Sequence, residues 1–352
     1  MNNISEPYIK DQAQVELLEA EMRGQLKYTL MNDFLAKYSL QKDLYALAGL
    51  LAALLEIDVD DITDIEVLNP IEPSEVITSK DCVLDIKLEL NHKDIINLEI
   101  QNQFQDFWPE RSLTYLSRIF DQLEEGDEYS EIKQCIQIGI LKSAPFREDD
   151  GRNTGLFLSE YSLRERNTGK EYSSKFRIRV LSLKYMENAT EKEKVSPNGV
   201  YYWAKLLTAK SWEELRMVAE DNTRMKSFVG TVRQLTADEK VKEACERRRR
   251  YSNEIATYEG EIGRLSRERD RLIDTNTALE EKRNSLEEEK NSLEEERNSL
   301  EEEKNSLEEE KNSLEEANTS LEKAKSSLET KNRELEDEVK RLKALLEEKN
   351  NA

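Results

Sequence analysis

The chain is poor in the residues that build most metal and nucleophile sites. Its 352 residues include one histidine, His92, and three cysteines, Cys82, Cys135 and Cys245. A structural zinc site needs four nitrogen or sulfur ligands, which one imidazole and three scattered thiols do not supply. A Ser-His-Asp triad would have to use His92, which lies in the polar Asn-His-Lys turn between two alternating segments and reads as an exposed turn residue. The few, odd-numbered cysteines give no disulfide framework and suit a reducing compartment. Long apolar runs are missing too. The longest, Leu44 to Leu55, has 12 residues, short of the ~20 that span a bilayer and right for a buried helix. The opening MNNISEPYIKDQAQ lacks the basic and apolar regions of a secretory signal. These absences lead to the expectation of a soluble cytoplasmic protein with no membrane partner.

Proline and glycine vanish towards the C-terminus: none follows Pro197 and Gly263 respectively. In their place the motif NSLEEEK recurs from Asn284, and leucine recurs every seven residues from Leu265 to Leu342. One long helix is predicted. With leucine at heptad position d, the a positions are Arg283, Lys290, Arg297, Lys304, Lys311, Asn318 and Lys325, so only one apolar stripe exists where a strong coiled coil has two. Glu289 and its repeats at g can pair with the next a-site lysine of a partner. The expectation is a weak homo-oligomer through residues 265–346; a solvated single helix or acidic tail is the other reading. Five heptads from Asn284 to Asn318 each carry −2, which is −10 of the net −22. The acidity therefore says little about the first 250 residues.

Those residues alternate between helical and strand patterns. A helical segment runs from Lys27 to Leu55, and ITDIEVLNP (Ile62 to Pro70) reads as a strand stopped by Asn-Pro. Two strands follow in VLDIKLELNHKDIINLEIQNQF, from Val83 to Phe104. PERSLTYLSRIFDQLEEG is a helix with Pro109 in its first turn and Gly126 past its end, and QCIQIGIL (Gln134 to Leu141) is an apolar strand. The order is αβββαβ, an α/β class with a mixed sheet. Further strands are expected at Gly155 to Tyr161 and Phe176 to Leu183, and helices from Val200 to Cys245.

The hairpin carries the chemistry. Leu84, Ile86, Leu88 and Leu90 share one face of the first strand, leaving Asp85, Lys87 and Glu89 on the other. Ile96, Leu98 and Ile100 do the same in the second, opposite Asn97, Glu99 and Gln101. Pairing apolar with apolar sets Asp85 directly across from Glu99 or Gln101. Side chains so opposed lie ~5 Å apart, where like charges destabilise. A divalent cation would compensate, since Mg²⁺ is usually held by one or two carboxylates plus waters and phosphate oxygens. The plainer reading is an amphipathic hairpin whose polar face meets solvent, with Lys87 neutralising its neighbours. Spacing alone leaves both open.

The run LDIKLELNHKDIINLEIQNQF, followed by WPERSLTYLSRIFDQLEEGDEYSEIKQCIQIGIL, resembles the PD-(D/E)XK nuclease superfamily. Within it the match is to the recombination-promoting nuclease (Rpn) and transposase family. The shared pattern is Asp-Ile in one strand, Glu-Ile-Gln in the next, Arg, Tyr and Arg on a helix, then a Gly-Asp-x-Tyr turn and an apolar strand. The helix with Asn32-Asp33-Phe34 and the segment from Trp203 to Arg250 belong to the similarity; the heptads do not. The resemblance implies a restriction-endonuclease-like core and a Mg²⁺-dependent DNA endonuclease associated with recombination or mobile elements, with Mn²⁺ as an alternative metal. Asp85 and Glu99 would be its metal-binding carboxylates. Gln101 stands where the superfamily more often has lysine; its amide can orient a water but has no charge to offer.

Six other residues have two readings each or rest on the resemblance alone. Lys87 could supply the displaced charge or be a plain surface lysine. Arg111, Tyr115 and Arg118, at i, i+4, i+7, form one helix stripe that faces either DNA phosphates and the carboxylates or the core. Asp33 is an extra acid near the metal or a helix N-cap. Lys80 supports the site on resemblance only. The basic cluster Arg247 to Arg250, with Arg264, Arg267, Arg269 and Arg271 beyond it, is either a neck for phosphate contacts or a salt-bridged helix surface. The expected division is 1–195 nuclease-like, 196–250 a helical extension, and 251–352 the acidic leucine-heptad helix. The competing function is a nuclease fold with degraded chemistry, a DNA-binding or assembly module oligomerised by its tail.

Overall fold

The computed structural model describes residues 4–78, 85–104, 107–147, 151–196 and 198–350. Helix α1 (Gln12–Glu21) precedes α2 (Asp33–Lys42) and α3 (Leu44–Leu55), which arise from the single segment expected at Lys27 to Leu55. Asp43 causes the break. It is buried and caps α3 by accepting from Ala46 N, and its other oxygen accepts from Ser227 and Thr231. Burial nonetheless raises the Asp43 pKa. The short strand β1 (Ile65–Val67) is followed by α4 (Pro73–Thr78), an insertion the pattern did not announce.

Strands β2 (Ile86–Leu90) and β3 (Asp94–Gln101) form the hairpin. Its turn holds Asn91 and His92 at φ 52° and 57°, with Lys93 N donating to Leu90 O, the two left-handed residues of a type I′ turn. Asn91 tolerates this because its side chain ties the turn down, accepting from Thr63 N and Asp64 N and donating to Asp61 O. His92 is exposed beside Asp64 and Glu89, as a turn residue should be.

Helix α5 (Trp108–Phe120) leads to β4 (Gln134–Leu141), β5 (Leu158–Ser162) and β6 (Phe176–Ser182). α5 stops six residues short of Gly126. Gln122 explains this, since its amide donates to Ile119 O and accepts from Lys133 N, satisfying the helix end through the next strand instead. The six-stranded sheet has the order β1-β2-β3-β4-β6-β5. β3, β4 and β6 are parallel and the outer pairings antiparallel, so the sheet is mixed as expected. The αβββαβ order is present with α4 added.

Both faces of the sheet are covered. Ile86, Leu88, Ile96, Leu98, Ile100, Ile136, Ile138 and Ile140 pack into the main core with Phe34, Leu35, Leu47 and Leu50 of α2 and α3. α6 (Glu191–Val195), α7 (Val200–Thr208), α8 (Trp212–Ala219) and α9 (Thr223–Leu235) follow, and Trp203, Leu207, Leu215 and Phe228 join the same core. The opposite face carries α5, whose Leu116 and Ile119 pack on Ile95 and Cys135, and whose Trp108 packs on Leu141 and Val180. The β3 side of the hairpin's polar face is thus roofed by a helix, while Lys87 and Glu89 of β2 remain half-buried.

The last helix, α10 (Glu239–Asn350), begins about twelve residues before the composition changes at Tyr251, so the basic neck is part of it. The chain divides into two units, Met1–Gly260 and Glu261–Ala352. Within the second, Leu286, Leu293, Leu300, Leu307 and Leu314 are each more than half exposed, an apolar stripe with nothing on it in a single chain. No helix among the described residues is long and apolar enough to cross a membrane.

Candidate active site

The hairpin register decides which acids meet. Ile86 pairs with Leu98 and Leu88 with Ile96; one step further along the same antiparallel register puts Asp85, just before β2, opposite Glu99. Of the two partners open to it in the sequence, Glu99 is the one the register favours. Gln101 ends β3 two residues on, half-buried, its carbonyl accepting from Lys142 N. These groups lie at the carboxyl end of a parallel strand, where α/β sheets usually place ligands.

Both carboxylates are shut away, with Asp85 4% and Glu99 1% exposed. Charged groups so buried need partners. Asp85 has one: Lys37 of α2, itself 2% exposed, sets its Nζ 3.5 Å from Asp85 Oδ1. Glu99 is less well served. Arg111 Nε approaches its Oε1 to 3.0 Å, but the N–H is not aligned for a hydrogen bond, and neither Glu99 oxygen has a hydrogen-bond partner among the described residues. Burial first, and the Asp85 charge second, push the Glu99 carboxyl up to about 7, against the pull of Arg111 and Lys37.

Helix α5 positions the arginines. Gly139 of β4 is the register partner of Glu99, and a Cβ there would lie 2.4 Å from Trp108 Cζ2. The missing side chain lets Trp108, at the start of α5, lie directly on the sheet beside Glu99. Arg111, one turn further, then reaches the carboxylate. Tyr115 is half-buried between two guanidiniums, Arg111 at 4.9 Å and Arg118 at 5.8 Å from its ring. Burial first, then the charge of Asp85, raise its pKa. Of the stripe, Arg111 and Tyr115 join the site, while Arg118 is exposed at its edge.

The remaining residues separate. Lys87 shares the strand face of Asp85, but its backbone N–H bonds Asn69 and, of the described residues, Lys37 is the lysine that pairs with Asp85. Asp33 begins α2, and the N-cap is its neighbour Asn32, which accepts from Leu35 N; the Asp33 side chain lies outside the described residues. Lys80 lies outside them altogether. Lys37 is the residue sequence reasoning missed. Its signal was a lone cation inside FLAKYSL, a helical stretch whose neighbours Phe34, Leu35, Ala36, Tyr38 and Leu40 are all core.

The donor set suits a hard divalent cation. It is all oxygen, and Glu99 presents two buried oxygens with no hydrogen-bond partner among the described residues. No third His, Cys, Asp or Glu completes a metal-holding group among the described residues. Two carboxylates leave the rest of the coordination shell to water and substrate, which is how Mg²⁺ is commonly bound.

A family model, PD-(D/E)XK nuclease family transposase, matches residues 30–258. The chain belongs to that family. The match takes in the hairpin, α5, the strand beside it, the helices that close the core and the start of α10. It ends just before the leucine heptads. Comparison with curated proteins and with solved structures finds no match.

Proposed function

We propose that this protein is a metal-dependent DNA endonuclease that hydrolyses phosphodiester bonds, acting in recombination or in the movement of genetic elements. The observation that carries this reading is the pair of buried carboxylates at the ends of adjacent strands, one held by a buried lysine and the other with neither oxygen hydrogen-bonded among the described residues. An enzyme core keeps such an arrangement at a cost of several kcal/mol, and a bound cation would relieve it.

Asp85 and Glu99 would hold Mg²⁺, or Mn²⁺. The metal supplies stabilisation of charge on the phosphate and a more acidic water. Gln101, at the mouth of the site, orients that water through its amide. Lys37 takes the place of the lysine absent at position 101: its ammonium lies 3.5 Å from Asp85 Oδ1 and adds positive charge where negative charge develops. Arg111 holds Glu99 and, with Arg118 at the rim, meets the backbone phosphates. Tyr115 spaces the two guanidiniums.

We further propose a division into 1–195 for the chemistry, 196–250 as a helical extension closing its core, and 251–352 as a tail that pairs weakly with a second copy through residues 265–346. The protein acts in the cytoplasm. Cleavage of supercoiled plasmid by the purified protein, with Mg²⁺ or with EDTA, beside Asp85→Ala, is the test. Cutting that needs both metal and Asp85 supports the nuclease. No cutting across metals and salts, or equal cutting by the variant, leaves a DNA-binding and assembly module with the same fold.

A further inference from the structure

The first turns of α10 are tied to the two elements that carry the site. Asn32, the N-cap of the helix bearing Lys37, donates from its side chain to Cys245 O at 3.2 Å. Gln103, two residues after Gln101, donates to Ser252 O at 2.7 Å. Tyr28 adds a third link, its hydroxyl lying 3.3 Å from Glu246 Oε2 and 3.4 Å from Lys242 O. Cys245 and Ser252 are seven residues apart, ~10.5 Å along the helix axis. This stretch of α10 therefore runs from beside one site element to beside the other, and Arg247, Arg248, Arg249 and Arg250 all fall within it.

We propose that this arginine neck binds the sugar-phosphate backbone of the nucleic acid strand that enters the Asp85–Glu99 site. This deepens the nuclease reading and rests on it. The charge argument is local. Residues 240–252 hold six cations against two carboxylates. Binding of a polyanionic backbone depends on such local concentration of cations. The salt-bridged surface that the sequence also allowed is only partly present. Among the described residues, Glu246 is shared by Arg249 at 2.7 Å and Arg250 at 3.8 Å, and one carboxylate cannot neutralise both guanidiniums.

The placement of the side chains supports the same conclusion. Cys245, Arg248 and Ser252 fall at i, i+3, i+7, so Arg248 lies on the stripe that faces the fold, its guanidinium 5.0 Å from the Tyr251 ring. Arg249 and Arg250 are exposed and Arg247 is half-buried. This turn of helix thus presents three guanidiniums away from the stripe that faces the fold. Its length matches about three phosphates at the ~3.4 Å axial spacing of one strand.

The test is the salt dependence of binding to a short DNA duplex by the full chain in EDTA, where nothing is cut. Three variants are compared: all four neck arginines to Gln, the same four to Lys, and a charge-matched control in the tail, Arg264, Arg267, Arg269 and Arg271 to Gln. The neck Gln variant should lose about 2–3 from the slope of log K against log salt, on ~0.9 per phosphate contact, and bind about tenfold more weakly at physiological salt. The Lys variant should keep most of the slope, which separates charge from helix packing. The tail control should keep all of it. An unchanged slope in the neck Gln variant, or an equal loss in the tail control, overturns the proposal. Either result leaves Mg²⁺- and Asp85-dependent plasmid cutting standing, so failure of the neck is distinct from failure of the nuclease.

Discussion

At the residue scale, the site is an electrostatic compromise between two buried acids and one buried cation. Lys37 and Asp85 each need the other, because removing one partner of a buried pair strands a charge in low dielectric. Lys37→Met is expected to cost about 3–5 kcal/mol in urea unfolding and to abolish cleavage; a loss below about 1 kcal/mol would mean that Asp85 is not held by this lysine. Glu99 gives a pH signature. Its folded pKa, about 7, lies above its ordinary value of 4.5, so the stability from its protonated form is complete below the ordinary value and is lost as pH rises through about 7. In EDTA the melting temperature should therefore fall between pH 5.5 and pH 8, and Glu99→Gln should flatten that fall. A wild-type melting temperature that is level or rising over this range, with no difference in the variant, counts against an uncompensated Glu99.

At the element scale, the seat of α5 on the sheet determines what Arg111 can reach. Gly139 makes that seat, so Gly139→Ala forces Trp108 and the helix away from β4. The expected cost is about 1–3 kcal/mol of overpacking, with a fall in cleavage larger than that of Leu113→Ala, an exposed position on the same helix. Equal activity in both variants would show that the α5 seat does not position the site. The end of α5 and the break between α2 and α3 follow the same logic. Gln122 and Asp43 stop their helices through hydrogen bonds to residues 11 and 184 or more positions away. Neither carries a local stop signal as strong as proline or glycine.

At the scale of the whole molecule, a folded unit and a leucine-striped helix are joined in one chain. Truncation after Gly260 should leave a unit with its own cooperative melt and intact metal-dependent cutting, because its core lies before that point. The full chain should self-associate weakly in sedimentation, with lysine at a and glutamate at g, and the truncated form should be a monomer. If the tail brings two sites together, concerted double-strand cuts should be lost on truncation. A monomeric truncated form that still makes them would show that the tail is not needed for pairing sites.

The sequence by itself determined whatever repeats with a short period. The alternation in VLDIKLELNHKDIINLEIQNQF was enough for the hairpin, for the pairing of Asp85 with Glu99 or Gln101, and for the inward face of Ile96, Leu98 and Ile100. Seven-residue leucine spacing was enough for the long helix, because periodicity of apolar side chains is a local property. What only the tertiary structure decided depends on residues far apart in the chain. Lys37 meets Asp85 across 48 positions, α5 roofs a polar face that alternation alone would leave in water, and Gln103 reaches Ser252 across 149 positions. Burial turned a plain amphipathic hairpin into a pair of carboxylates shut away from solvent, and burial is a property of the packed molecule, not of any segment.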